Sequence, residues 1–81
     1  MAKAYILIET EVGKTREAYN TLTAKKVKAI KSIDVVTGPY DIVVVVEHDD
    51  INSIGTLVTK EIHLVPGIAR TVTCLGVRLT Q

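Results

Sequence analysis

Three observations predict an α+β fold with a four-stranded antiparallel sheet in the order β-α-β-β-α-β. Strand-like and helix-like segments alternate so that strand, helix, strand occurs twice along the chain. Two of the strands, "AYILI" and "IVVVV", lack any charged residue or polar interruption. Hydrophobic residues fill 47% of the 81 positions, yet Phe and Trp are absent. The core must therefore be built from Val, Ile and Leu, which favour strands. A chain of this length makes one domain, residues 1–81, near the lower end of what folds alone.

The first strand is Ala4–Ile8, and Gly13 ends the connection that follows it. Thr15 is placed to cap a helix over "REAYNTLTAKK", with Ala18, Tyr19 and Leu22 on its inner face. Ile30, Ile33, Val35 and Val36 read as a second strand, interrupted by polar Lys31, Ser32 and Asp34. Pro39 suits the second position of a turn, and Ile42–Val46 form the third strand. Asp49 or Asp50 caps a second helix in which Ile51, Ile54, Leu57, Val58 and Ile62 recur at helical spacing. "VPG" at 65–67 is expected to stop it, with Gly67 as a left-handed cap. "ARTVTCLGVRL" is the last strand.

This order is the split βαβ pattern of a ferredoxin-like fold, with the first and third strands central and the other two at the edges. The composition agrees, because the predicted edge strands carry Lys, Asp, Thr and Arg at intervals. Right-handed crossovers put both helices on one face. Alternation sends Ala4, Ile6, Ile8, Ile42, Val44 and Val46 towards them. Tyr5, Leu7, Val43 and Val45 point the other way, with no cover in this chain. Leaving Leu7, Val43 and Val45 in water forfeits about 1.5–3 kcal/mol each, which in sum rivals the stability of a small domain. The uncovered face is expected to be an association surface, two sheets packing face to face in a homodimer.

A net charge of +1 creates no general field for nucleic acid or an anionic membrane. Lys25, Lys26, Lys28 and Lys31 read as a local solvated face. Cys74 is alone, which fits a reducing cytoplasm and a small buried strand residue. The apolar run at Ala4–Ile8 is too short for a signal-peptide core or a membrane span. His48, Asp49 and Asp50 are adjacent but lack a further ligand at metal spacing, and His63 suits a helix C-terminus. No catalytic residue, metal site or cofactor is expected. Thr71 and Thr73 fit ordinary strand propensity, or a pair of hydroxyls facing a small polar ligand. The hairpin Gly38-Pro39-Tyr40-Asp41 has turn residues throughout except Tyr40, an aromatic expected to be exposed at the tip. Gly38 permits close backbone approach and Asp41 can pair with an ammonium, so turn and ligand site are both open readings.

"VVTGPYDIVVVVE" resembles the hairpin of the effector-binding (RAM) domain of Lrp/AsnC regulators, in which Gly, one residue, Tyr and Asp precede an aliphatic strand. "VPGIARTVT" is similar to that family's Pro-Gly turn and threonine-bearing last strand, and the likeness runs through the chain in order and spacing. It implies a dimeric α+β barrel, further assembly into rings such as octamers, and an amino acid or related effector bound between dimers. By position, Gly38, Tyr40 and Asp41 would line that pocket, with Asp41 on the effector's α-ammonium and backbone N–H groups near Gly38 on its carboxylate. Thr71 and Thr73 would come from the facing dimer. Those regulators place a helix-turn-helix domain before this one, whereas this sequence opens at the first strand. A stand-alone effector module that does not bind DNA directly is therefore expected.

The expected function is a non-enzymatic, cytoplasmic, oligomeric amino-acid-binding regulatory module, with full-length Lrp/AsnC regulators as potential co-assembly partners. A cofactor-independent dimeric α+β barrel enzyme, monooxygenase- or isomerase-like, is the rival. It would need polar residues on the inner strand positions, and the two central strands show none. An ACT-type sensor would share the element order but pair through strand edges and helices, and a structural oligomer with an empty site is the remaining alternative.

Overall fold

The computed structural model describes residues 1–79. Its elements are β1 (Ala2–Thr10), α1 (Thr15–Lys25), β2 (Ile30–Val35), β3 (Ile42–His48), α2 (Ile51–Leu57) and β4 (Ile68–Leu75), with a π-helical stretch, Val58–Ile62, continuing α2. The strands form one antiparallel sheet in the order β2-β3-β1-β4. The two apolar strands are therefore central, as the composition predicts. They pair from Ala2↔His48 to Ile8↔Ile42.

That register aligns the buried side chains. Ala4, Ile6 and Ile8 of β1 and Ile42, Val44 and Val46 of β3 are all fully buried. They pack with Ala18 and Leu22 of α1, with Ile54, Val58 and Ile62, and with Val65 and Ile68. Among the described residues no polar or charged side chain is buried. The opposite face has no helix: Leu7, Val43 and Val45 are only partly buried, and Tyr5 is exposed. In β4, Val72 stands beside Leu7 and Cys74 beside Tyr5, which widens this face. Cys74 is thus exposed rather than buried, because it lies on the side that the helices leave bare.

Several boundaries differ from those expected. The N-cap position of α1 is Lys14, without a side-chain cap bond, and Thr15 is the first helical residue. The Thr15 hydroxyl lies 2.7 Å from that of Thr10 instead of capping its own helix. The helix ends at Lys25, and Lys26 takes a left-handed conformation (φ 52°) that a glycine would occupy at lower cost. Asp50, not Asp49, caps α2, its carboxylate accepting the Asn52 N–H at 3.0 Å. Ile51, the first residue of α2, is 56% exposed. The second helix stops at Ile62, before Pro66, and the His63 N–H closes the wider π turn on the Val58 carbonyl at 2.7 Å. Gly67 (φ +94°) sits in the turn into β4 rather than at the helix end, where its carbonyl accepts the Glu11 N–H. A Cβ there would come within 3.0 Å of the Lys14 side chain. The last strand ends at Leu75, although Gly76 adds one more bond to the Lys3 carbonyl.

The spacing 30, 33, 35 in β2 breaks strict alternation. The structure resolves it with a bulge: Ile30 pairs Val46 and Ser32 pairs Val45, leaving Lys31 as the extra residue. Ile30 and Ile33 then both pack against the core. Ile62→Ala is expected to cost about 2–5 kcal/mol, as for other fully buried large-to-small changes. Ile51→Ala should stay within about 0.5 kcal/mol, as for an exposed side chain. Urea unfolding at fixed protein concentration checks both values.

Candidate functional site

The β2–β3 connection is held from both sides before any ligand is considered. The Val36 N–H donates to the Asp41 carbonyl at 2.9 Å, and the Asp41 N–H donates to the Ile8 carbonyl at 2.9 Å. The hairpin is thus tied to its partner strand and also to the end of β1. Gly38 has φ +143°, a conformation that disfavours any side chain, and no atom lies within 4 Å of where a Cβ would stand. The glycine is required by the backbone, and the space beside it is open.

Asp41 is partly buried, and its Oδ2 is already engaged. It accepts the Thr10 N–H at 2.8 Å and the Thr10 hydroxyl lies 3.1 Å from it. That hydroxyl is in turn 2.7 Å from the hydroxyl of Thr15 at the start of α1. A register shift between Glu9 and Thr10, with Ala69 as the extra residue on β4, frees the Thr10 N–H from strand pairing. Oδ1 has no hydrogen-bond partner among the described residues, so the carboxylate presents one oxygen and holds the other in the fold. Thr10 was not singled out from the sequence. A threonine closing a strand carries no signal until the fold puts it opposite an acid.

Tyr40 is partly buried rather than exposed at the tip. Thr71 and Thr73 pair with Ile8 and Ile6, so they stand on the helix side of edge strand β4, Thr71 partly buried and Thr73 exposed. Two strand spacings, about 10 Å, separate β4 from β3. One chain therefore brings Gly38, Tyr40 and Asp41 together, and leaves the two threonines apart from them. Two surface grooves formed by the described residues, one beside α2 and one between α1 and β2, both leave out the hairpin residues. A ligand here would be only half enclosed by a single chain.

The bare sheet face is the other feature outside the core. Leu7, Val43, Val45 and Val72 form its centre, with Tyr5 and Cys74 adjoining. At its margin the Arg70 guanidinium pairs with Glu9 at 3.8 Å, and the Lys3 ammonium lies 5.4 Å from the Tyr5 ring centre. An apolar centre with a charged rim is the anatomy of a protein interface. Among the described residues no three His, Cys, Asp or Glu side chains gather as a metal site, and no helix is long and apolar enough to cross a membrane. His48 and Asp50 instead serve the start of α2, the Asp50 N–H lying 3.2 Å from the His48 Nδ1.

The family model described as the Lrp/AsnC ligand binding domain matches residues 3–78. The solved structure of FFRP-DM1 is 35% identical, with a TM-score of 0.83 over 95% of this chain and 100% of that one. A hypothetical protein of Pyrococcus horikoshii is 34% identical, with a TM-score of 0.81 over 98% of this chain and 93% of the other. A Neisseria meningitidis transcriptional regulator solved in complex with L-Met has a TM-score of 0.81 at 16% identity, a likeness of fold. It covers 99% of this chain, which spans 52% of the regulator. No curated protein matches the chain. Asp41→Ala is expected to cost about 1–2 kcal/mol, since it leaves the Thr10 N–H without its acceptor. Amide hydrogen exchange at Thr10 should quicken in that variant, and by less in Thr10→Val, which keeps the backbone bond.

Proposed function

Because this chain belongs to the Lrp/AsnC ligand-binding domain family, we propose that it is an oligomeric regulatory module that binds an amino acid or a related small effector beside the Gly38–Asp41 hairpin. The family match over residues 3–78 carries this reading. The chemistry of the hairpin supports it: Asp41 offers Oδ1 to an ammonium while Thr10 holds Oδ2. The left-handed Gly38 leaves room for a carboxylate near the backbone. L-Met in the Neisseria regulator is a ligand of the same chemical class.

In this reading two chains pack their bare sheet faces together, and dimers assemble further, into a ring of octamer type. The half-open hairpin is completed by a facing dimer, from which Thr71 and Thr73 reach the effector. Its regulatory output follows from linkage. An effector that binds only the assembled state stabilises that state, by about 2.7 kcal/mol at a hundredfold excess over its dissociation constant. Co-assembly with full-length Lrp/AsnC regulators would pass that shift to DNA-bound partners.

A dimeric α+β barrel enzyme is the competing reading. Its chemistry would need polar groups between helices and sheet, and the fully buried positions of β1 and β3 are Ala4, Ile6, Ile8, Ile42, Val44 and Val46. That composition favours binding over catalysis.

Val45→Lys is expected to reduce the oligomer to monomers, because it puts a charge in the centre of the apolar face; sedimentation velocity at micromolar concentration reads this directly. Persistence of the parent's oligomer in that variant would rule out the face-to-face arrangement. Screening the twenty amino acids by melting temperature and oligomer size should reveal at least one that raises both. The rise should vanish in Tyr40→Ala and in Asp41→Asn, whereas no response to any of the twenty would count against an amino-acid effector.

A further inference from the structure

We propose that the groove at the far end of β3 is a second ligand site, separate from the hairpin, and that it takes a small organic anion with an apolar body. The groove lies between the α1–β2 connection, the end of β3 and α2, and encloses about 540 Å³. That falls within the ordinary range of small-molecule sites, about 300–1,000 Å³. It is about 20 Å along β3 from Asp41, given the rise per strand residue.

Backbone bonds hold its walls. After α1 ends, the chain turns at Val27–Ile30, where the Ile30 N–H donates to the Val27 carbonyl at 3.1 Å. The Glu47 N–H then donates to the Ala29 carbonyl at 2.9 Å, pinning this turn to β3. Across the groove, the Asp50 cap fixes the start of α2. Val27, Ala29 and Leu57 supply an apolar lining.

The charges are unbalanced in favour of an anion. Lys28, Lys31 and Lys60 line the groove from three different segments. None of them is in an ion pair among the described residues. Of the lining carboxylates, Glu61 is paired with Lys25 at 3.4 Å. Glu47 and Asp49, neither of them in an ion pair among the described residues, are left against three ammonium groups. His48 Nδ1 accepts the Asp50 N–H, so the neutral ring carries its proton on Nε2, a further donor at the groove. A zwitterion would place an ammonium among these cations; a carboxylate on an apolar skeleton satisfies both the rim and the lining.

The test is a titration of the ¹⁵N-labelled full chain with indole-3-acetate, followed by amide shifts, with tryptamine and inorganic phosphate as separate controls. Saturable shifts are expected in residues 27–31, at His48 and in residues 53–60, with residues 38–41 unmoved. Tryptamine and phosphate should give no saturable shifts there. Charge reversal in Lys31→Glu/Lys60→Glu should weaken binding about tenfold, the loss of two exposed ion pairs plus the repulsion that replaces them. Lys28→Ala, in an exposed turn, should give a smaller loss and stands in if the double variant does not fold. No saturable shifts, shifts centred on the hairpin or the bare sheet face, equal binding of tryptamine, equal binding of phosphate, or lysine variants that bind as tightly as the parent would each overturn the proposal.

Discussion

The antiparallel pairing of β1 with β3, from Ala2↔His48 to Ile8↔Ile42, is the constraint on which the rest of the molecule depends. Side chains alternate with period two, so a slip by one residue would turn every buried aliphatic outward. Here such a slip would bring Leu7, Val43 and Val45 under the helices, and these residues are apolar as well. The aliphatic run alone therefore specifies register weakly. The ends do more. The Asp41 N–H reaches the Ile8 carbonyl, and the Asp41 carboxylate takes the Thr10 N–H; both contacts belong to one register.

In the proposed reading Asp41 has two duties. Its Oδ2 completes the junction of β1, β3 and the start of α1, while Oδ1 remains available. A carboxylate held this way loses little rotamer freedom when a cation arrives, so less of the binding free energy goes into ordering it. The same junction orders the hairpin from behind. The far end of the sheet is built differently, from an αL lysine, a capped helix and a turn pinned to β3. Its charges come from separate segments rather than one motif.

How much of this could be read in the sequence depended on the range of the interaction. The element order, the central position of "AYILI" and "IVVVV", and the division of their side chains between two faces rest on local periodicity, and they match the structure. The Gly38–Asp41 turn was visible as turn chemistry. What could not be read involved contacts between distant segments. Thr15 looks like a cap because it stands before a helix, but its hydroxyl is drawn to Thr10, five residues back across a loop. Ile51 fits the helical repeat but is exposed, and Cys74 fits a buried strand residue but falls on the uncovered side. The π turn at Val58–Ile62 has no signature in residue type. At the hairpin, residue identities indicated which groups were present; only the fold revealed that one Asp41 oxygen was already engaged.

The bulge at Lys31 bears on how such a chain avoids polymerising. A sheet with a free edge is a template for another strand, and repeated edge pairing grows without limit. Face-to-face packing, by contrast, closes after two copies. In β2 the extra residue interrupts the regular spacing of backbone donors and acceptors, and Lys31, Ser32 and Asp34 leave a polar, charged border. An incoming strand would find its ladder out of step and a lysine in the way. The irregularity that lets Ile30 and Ile33 both reach the core thus also blunts this edge of the sheet; in the proposed dimer it leaves the flat side, where association has a natural stopping point, as the surface for a second copy.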